Sequence, residues 1–176
     1  MYYDARMNRR VFLKRGLLGG ALLAVGGGTG LALWPSTERY RPQGPLSVLD
    51  ERRFAILAAI AARVVTAPTA DPVTIAHTID ASLARATPEA QADIRKVLML
   101  FENALGGLLL DGRWRPFTSL APDAQDRVLE AWRDSRLVLR RGAYKALKNL
   151  CVTSFYRREA GWKVAHYPGP PAWFVA

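Results

Sequence analysis

Between residues 47 and 158 the apolar positions recur at helical spacing, and prolines and acids punctuate them where helices should start. Ser47-Val48-Leu49-Asp50 resembles a capping box with Asp in place of the favoured Glu or Gln, and Phe54, Leu57, Ala61 and Val64 continue an apolar stripe that stops before Pro68. A second helix is expected from Asp71 as N-cap with Pro72 in its first turn, its buried face formed by Val73, Ala76, Ile79 and Leu83. Thr87-Pro88 opens a third in the same manner, which runs through Ile94, Val97, Leu98, Phe101, Leu105 and Leu108 to an end near Gly112. Pro122 opens a fourth with Val128, Leu129 and Trp132 as its apolar positions. The fifth and longest is expected from Ser135 to Arg158, with Leu139, Ala143, Leu147, Leu150 and Ser154 on one face and Tyr144, Cys151 and Phe155 flanking it. No stretch alternates with period two between hairpin turns. The pattern therefore predicts an all-α fold, a small bundle of about five helices.

Both ends of the chain break this pattern. In the last fifteen residues, Trp162, His166, Tyr167, Trp173 and Phe174 are interleaved with Pro168, Gly169, Pro170 and Pro171, so no regular helix is expected there. Such an extended aromatic segment either folds back over the bundle or is buried by a partner, and Trp and Tyr are enriched in interface cores. The candidate partner-binding residues are Trp162, His166, Tyr167, Pro168, Gly169, Pro170, Pro171 and Trp173. At the other end, Arg9-Arg10-Val11-Phe12-Leu13-Lys14 is followed by an uncharged apolar segment from Gly16 to Leu33, the order of basic and apolar regions that an export signal needs. These residues match the twin-arginine translocation consensus, with Asn8 where Ser or Thr is usual. Arg9, Arg10, Phe12, Leu13 and Lys14 are thus the candidate signal residues, with the Tat translocase as their partner and the periplasm as the destination. Glycines at 16, 19, 20, 26, 27, 28 and 30 dilute the leucines and weaken helix formation in residues 16–33, so the segment partitions only marginally into lipid. About 18 apolar residues can just span a bilayer, so cleaved signal and retained membrane anchor both stand as readings. Residues 1–34 are read as signal or signal anchor, 35–45 as linker and 46–176 as the helical domain.

Charge and chemistry narrow the function classes. Residues 1–40 hold six Lys/Arg and two acids and so contribute +4 of the formal +10, which leaves +6 on the remainder. Arg52/Arg53, Arg140/Arg141 and Arg157/Arg158 are scattered pairs on expected helices, and no nucleic-acid-binding module accompanies them, so a solvated face or an acidic partner surface is expected and nucleic acid is not. The single cysteine, Cys151, cannot close an internal disulfide; it is either buried and inert or bridged to a partner chain. His77 and His166 are the only histidines, and neither has a second metal ligand at helical spacing. No Cys-x-x-Cys-His haem motif or multi-cysteine cluster run is present, and Gly26-Gly27-Gly28-Thr29-Gly30 lacks the preceding strand and following Gly-Lys-Ser/Thr of a phosphate loop. No catalytic or metal residues are therefore assigned. A small exported enzyme built around His166 or His77, or a membrane-anchored binding module, are the alternative readings.

The order of features in the C-terminal half resembles the gluconate 2-dehydrogenase subunit 3 family, the small subunits of membrane-associated flavin-dependent sugar and alcohol dehydrogenases. Phe117-Thr118-Ser119-Leu120-Ala121-Pro122, Val128-Leu129-Glu130-Ala131-Trp132-Arg133-Asp134-Ser135, Arg140-Arg141-Gly142-Ala143-Tyr144-Lys145-Ala146-Leu147 and Tyr167-Pro168-Gly169-Pro170-Pro171 carry the likeness. The first three helices match in pattern alone, and Ala67-Pro68 departs from the isoleucine-proline ending usual in related sequences. The resemblance implies a chain with no cofactor of its own, bound to a large flavoprotein of the glucose-methanol-choline oxidoreductase type that carries FAD and lacks an export signal. A cytochrome c subunit is a further implied partner.

Overall fold

The structure, a computed structural model, describes residues 37–103 and 115–170, which all belong to the compact unit beginning at Trp34. Among them six α-helices follow one another: α1 (Glu51–Val64), α2 (Pro72–Leu83), α3 (Pro88–Glu102), α4 (Pro122–Arg133), α5 (Val138–Tyr156) and α6 (Glu159–Val164). Single 3-10 turns at Thr37–Tyr40 and Phe117–Ser119 precede α1 and α4. The described residues contain no strand, and the fold is the all-α bundle that the periodicity predicts.

The centre of the bundle is α1. Every residue from Phe54 to Ala61 is buried, and the helix packs against α2, α3, α4 and α5. A helix apolar on all sides can be stable in water only when enclosed, and Ala55, Ala58, Ala59 and Ala61 are small enough to let four neighbours approach it. The expected stripe of Phe54, Leu57, Ala61 and Val64 is thus too narrow: Ile56 and Ile60, on other sides of the helix, are equally inside, whereas Val64 is half-buried.

Helix starts follow cap chemistry. Asp71 accepts the N–H groups of Val73 and Thr74 at 3.3 and 3.0 Å, Thr87 accepts that of Ala90 at 3.3 Å, and Pro72, Pro88 and Pro122 each occupy a first-turn position where no N–H is needed. The start of α1 differs from expectation. Asp50 is itself the N-cap, accepting the Arg53 N–H at 2.8 Å, and Ser47 lies upstream of the helix with its N–H donated to Asp80. A carboxylate at the cap position does the work that the serine was expected to do.

The long helix α5 is shorter than its predicted span at both ends, because Ser135 Oγ accepts the Leu137 N–H in a turn before the helix and Arg158 becomes the N-cap residue of α6. Its buried face is also rotated. Arg140, Ala143, Leu147, Cys151, Ser154 and Phe155 point inward, Leu150 is half-buried and Leu139 is exposed. The helix α6 is a second correction, since Trp162 lies within it: the stretch from Glu159 to Val164 contains no proline and keeps every backbone donor, and the proline-rich stretch begins only at Pro168. Leu105, Leu108 and Gly112 lie outside the described residues, as does the whole of residues 1–36 with its twin-arginine and apolar segments. Among the described residues no helix is long and apolar enough to cross a membrane.

Candidate functional site

The segment after α5 folds back on itself around one indole. Trp162 donates its ring N–H to the Tyr156 carbonyl at 2.9 Å, and Tyr167 returns its backbone N–H to the Trp162 carbonyl at 2.9 Å. The Trp162 and Tyr167 rings meet edge to face, 6.0 Å apart. Gly169, with φ of +98°, lies against the same indole, where a Cβ would stand 3.3 Å from the ring. That contact and that backbone conformation both select glycine. His166 also has positive φ, at 51°, and sits exposed where the chain leaves α6. Of the candidate partner-binding residues, the structure therefore brings Trp162, Tyr167 and Gly169 together, leaves His166 and Pro168 on the surface and half-buries Pro170. Pro171 and Trp173 lie outside the described residues.

The other candidate histidine has a structural role. His77 Nε2 accepts the Gln43 N–H at 3.0 Å and its ring packs on Phe54 at 4.7 Å, so it fastens the entering segment to α2. No group of three His, Cys, Asp or Glu side chains converges among the described residues.

Buried polar groups hold segments together. Asp80 accepts three consecutive backbone N–H groups, from Ser47 at 2.6 Å, Val48 at 3.0 Å and Leu49 at 2.8 Å, and so pins the entry to α1 onto α2. Glu102 at the end of α3 accepts the N–H and hydroxyl of Thr118 at 3.1 and 2.6 Å, and Gln125 donates to the Phe117 carbonyl at 3.0 Å. The Phe101 ring stacks on Trp132 at 3.8 Å, and the Arg140 guanidinium covers the Trp132 ring at 4.9 Å, so a buried cation closes an aromatic stack linking α3, α4 and α5. None of these residues was singled out by sequence as polar and buried; the available signal was Asp80 standing in the apolar register of α2, one position after Ile79.

Protonation follows the same division of labour. Burial pushes the Cys151 thiol up to about 12, which keeps it in the unreactive protonated form. The hydrogen bond from Arg63 holds the Asp126 carboxyl below its usual range, with N···O distances of 2.8 and 2.5 Å tying α1 to α4. Burial alone would raise Asp71, but bonds from the Thr74 hydroxyl and the Thr74 and Val73 N–H groups outweigh it and lower its pKa, as befits a helix cap.

A surface feature was missed by sequence. Leu137, Val138 and Leu139 are all exposed at the start of α5, although the apolar stripe predicts Leu139 in the core face. Arg141, Lys145 and Lys148 follow on the exposed side, and no acid occurs from Val138 to Tyr156. Three consecutive aliphatic residues at the start of an acid-free helix are the legible sign.

No curated protein and no solved structure gives a significant match to the chain. A family model described as gluconate 2-dehydrogenase subunit 3 matches residues 51–169, from the first residue of α1 to the glycine that packs on Trp162. That span takes in all six described helices and more than half of the chain. The chain accordingly belongs to the gluconate 2-dehydrogenase subunit 3 family, accessory subunits of dehydrogenases.

Proposed function

We propose that this chain is the non-catalytic small subunit and export carrier of a periplasmic FAD-dependent dehydrogenase acting on sugars or alcohols. The observation that carries the reading is the union, in one chain, of the Arg9-Arg10-Val11-Phe12-Leu13-Lys14 signal pattern with a domain matched to a dehydrogenase subunit over residues 51–169. A twin-arginine signal suits cargo that folds and binds its cofactor before export, and a flavoprotein without a signal of its own would need such a carrier. In this reading FAD belongs to the partner flavoprotein. The partner is a large flavoprotein of the glucose-methanol-choline type, with a cytochrome c subunit as a further member of the complex. Residues 16–33 contact the membrane during export or remain as an anchor on its periplasmic face.

Support also comes from how the polar side chains are used. Asp80, Glu102, Gln125 and His77 serve backbone and packing contacts, and Cys151 is sealed in the core. The test is co-expression of the chain with its flavoprotein partner. With Arg9→Lys and Arg10→Lys combined, the partner's periplasmic activity is expected to fall to background while both proteins accumulate in the cytoplasm. Undiminished export of the partner would overturn the carrier role.

A further inference from the structure

The outer side of α5 carries three features that the fold of this chain leaves unexplained. The first is apolar. Leu137, Val138 and Leu139 are 53%, 74% and 72% exposed, the highest values among the exposed large hydrophobic residues, and they are consecutive. Single exposed aliphatic side chains are ordinary on a protein surface, but a contiguous cluster marks a place where something docks.

The second is Gly142, one turn further along. Nothing lies within 4 Å of where its Cβ would be. Gly161 and Gly169 differ, since a Cβ on Gly161 would strike the Phe155 carbonyl and Gly169 needs positive φ against Trp162. Glycine weakens an exposed helix interior. At Gly142 no contact among the described residues accounts for it, whereas a backbone approaching from outside would.

The third is charge. At 100° per residue, Val138, Gly142, Lys145 and Asn149 fall on one line along the helix, with Arg141 and Lys148 beside it. Arg53, Arg63, Lys96, Arg133 and Lys163 each have a carboxylate partner within the chain. Arg141 instead donates to the Ser135 carbonyl at 2.6 Å, and Lys145 and Lys148 are exposed on a helix without an acid. Among the described residues the strip is a cationic surface without carboxylate partners, and the complementary surface is acidic.

We propose that this face of α5 is where the partner subunit docks, and that the partner meets it with an apolar pocket for Val138 and Leu139 bordered by carboxylates for Arg141, Lys145 and Lys148. This rests on the reading of the chain as a dehydrogenase subunit. A protein fits better than a lipid surface: beyond Val138 the line continues with Gly142, Lys145 and Asn149, none of which inserts into a bilayer, whereas a missing Cβ admits a neighbouring backbone.

The experiment uses the full chain, affinity-tagged in its native host. A photo-crosslinking residue is placed at Val138, at Tyr167 or at Glu89 on the exposed first turn of α3. Flavin retained on the purified complex is then measured for the wild type, for Val138→Asp with Leu139→Asp, and for Lys145→Glu with Lys148→Glu. All four substituted positions are exposed, and circular dichroism checks that helicity is kept.

The expected result is a crosslink from Val138 to an acidic peptide of a flavin-containing protein, together with at least about tenfold weaker retention in each double variant. Wild-type retention of the flavoprotein, undiminished in both double variants, would overturn the α5 surface and leave the dehydrogenase-subunit reading standing; capture from Tyr167 alone would do the same. Absence of any flavoprotein from the wild-type complex would overturn both. Binding to phosphatidylglycerol–phosphatidylcholine vesicles that Lys145→Glu with Lys148→Glu abolishes, with flavoprotein retention unaffected, would reassign the face to lipid and overturn the protein interface.

Discussion

Asp80 shows how much of this fold can rest on one side chain. Its buried carboxylate takes three successive N–H groups from residues 47–49, donors that would otherwise be left without partners as the chain turns into α1. Hydrogen bonds to a charged acceptor are stronger than neutral ones. Asp80→Asn leaves one acceptor oxygen and turns an amide N–H₂ toward a backbone donor, so it is expected to destabilise the chain by about 2–3 kcal/mol in urea unfolding. Asp93→Asn, at an exposed position on α3, is expected to change stability by no more than about 0.5 kcal/mol. The role of Asp80 was not legible in sequence, because its partners lie more than thirty positions away and local pattern carries no information about them. The caps at Asp71 and Thr87 were legible for the opposite reason: each bonds N–H groups two or three residues ahead.

At the scale of elements, two glycines in helices make opposite demands. Gly142 in α5 faces open space, so Gly142→Ala is expected to raise the stability of the isolated chain by about 0.5–1 kcal/mol. Gly161 in α6 would place a Cβ 2.5 Å from the Phe155 carbonyl oxygen and 2.7 Å from the Tyr156 Cα, both fixed backbone atoms. Gly161→Ala must therefore push α6 away from the end of α5, at an expected cost of about 2 kcal/mol, seen as a lowered urea midpoint. Sequence placed the start of α4 correctly and mistook the face and ends of α5. Pro122 is a local signal, whereas the rotation of α5 depends on Arg140 finding the Trp132 ring across the bundle. Likewise α6 escaped notice because a six-residue helix has little periodicity to read, and its place is set by Trp162 bonding to Tyr156.

For the molecule as a whole, the enclosure of α1 is held at its edge by the Arg63–Asp126 pair to α4. Arg63 lowers the Asp126 pKa, so the folded state binds this proton less readily than the unfolded chain. The stabilisation is therefore present above the unfolded carboxylate value, near about 3.9, and is lost as pH falls through the depressed folded value. Asp126 is 39% exposed, so solvent screening limits the pair to about 1 kcal/mol or less. Asp126→Asn is expected to lower the urea midpoint at about pH 7 and to converge with the wild type as pH approaches about 2. A deficit that stays constant with pH would show that packing rather than charge ties the two helices.

The sequence by itself determined the helical class, the starts of α2, α3 and α4 and the family, because periodicity, caps and short motifs are encoded within a few residues of one another. It also located the two aromatic residues, Trp162 and Tyr167, that meet in the C-terminal segment. Only the tertiary structure decided that α1 is enclosed on every side, that Asp80 and Glu102 are spent on distant backbone, and that Leu137, Val138 and Leu139 lie outside the core. An apolar residue in a helical stripe states a preference for burial. Whether the preference is met depends on which neighbours arrive, and at the start of α5 none among the described residues does.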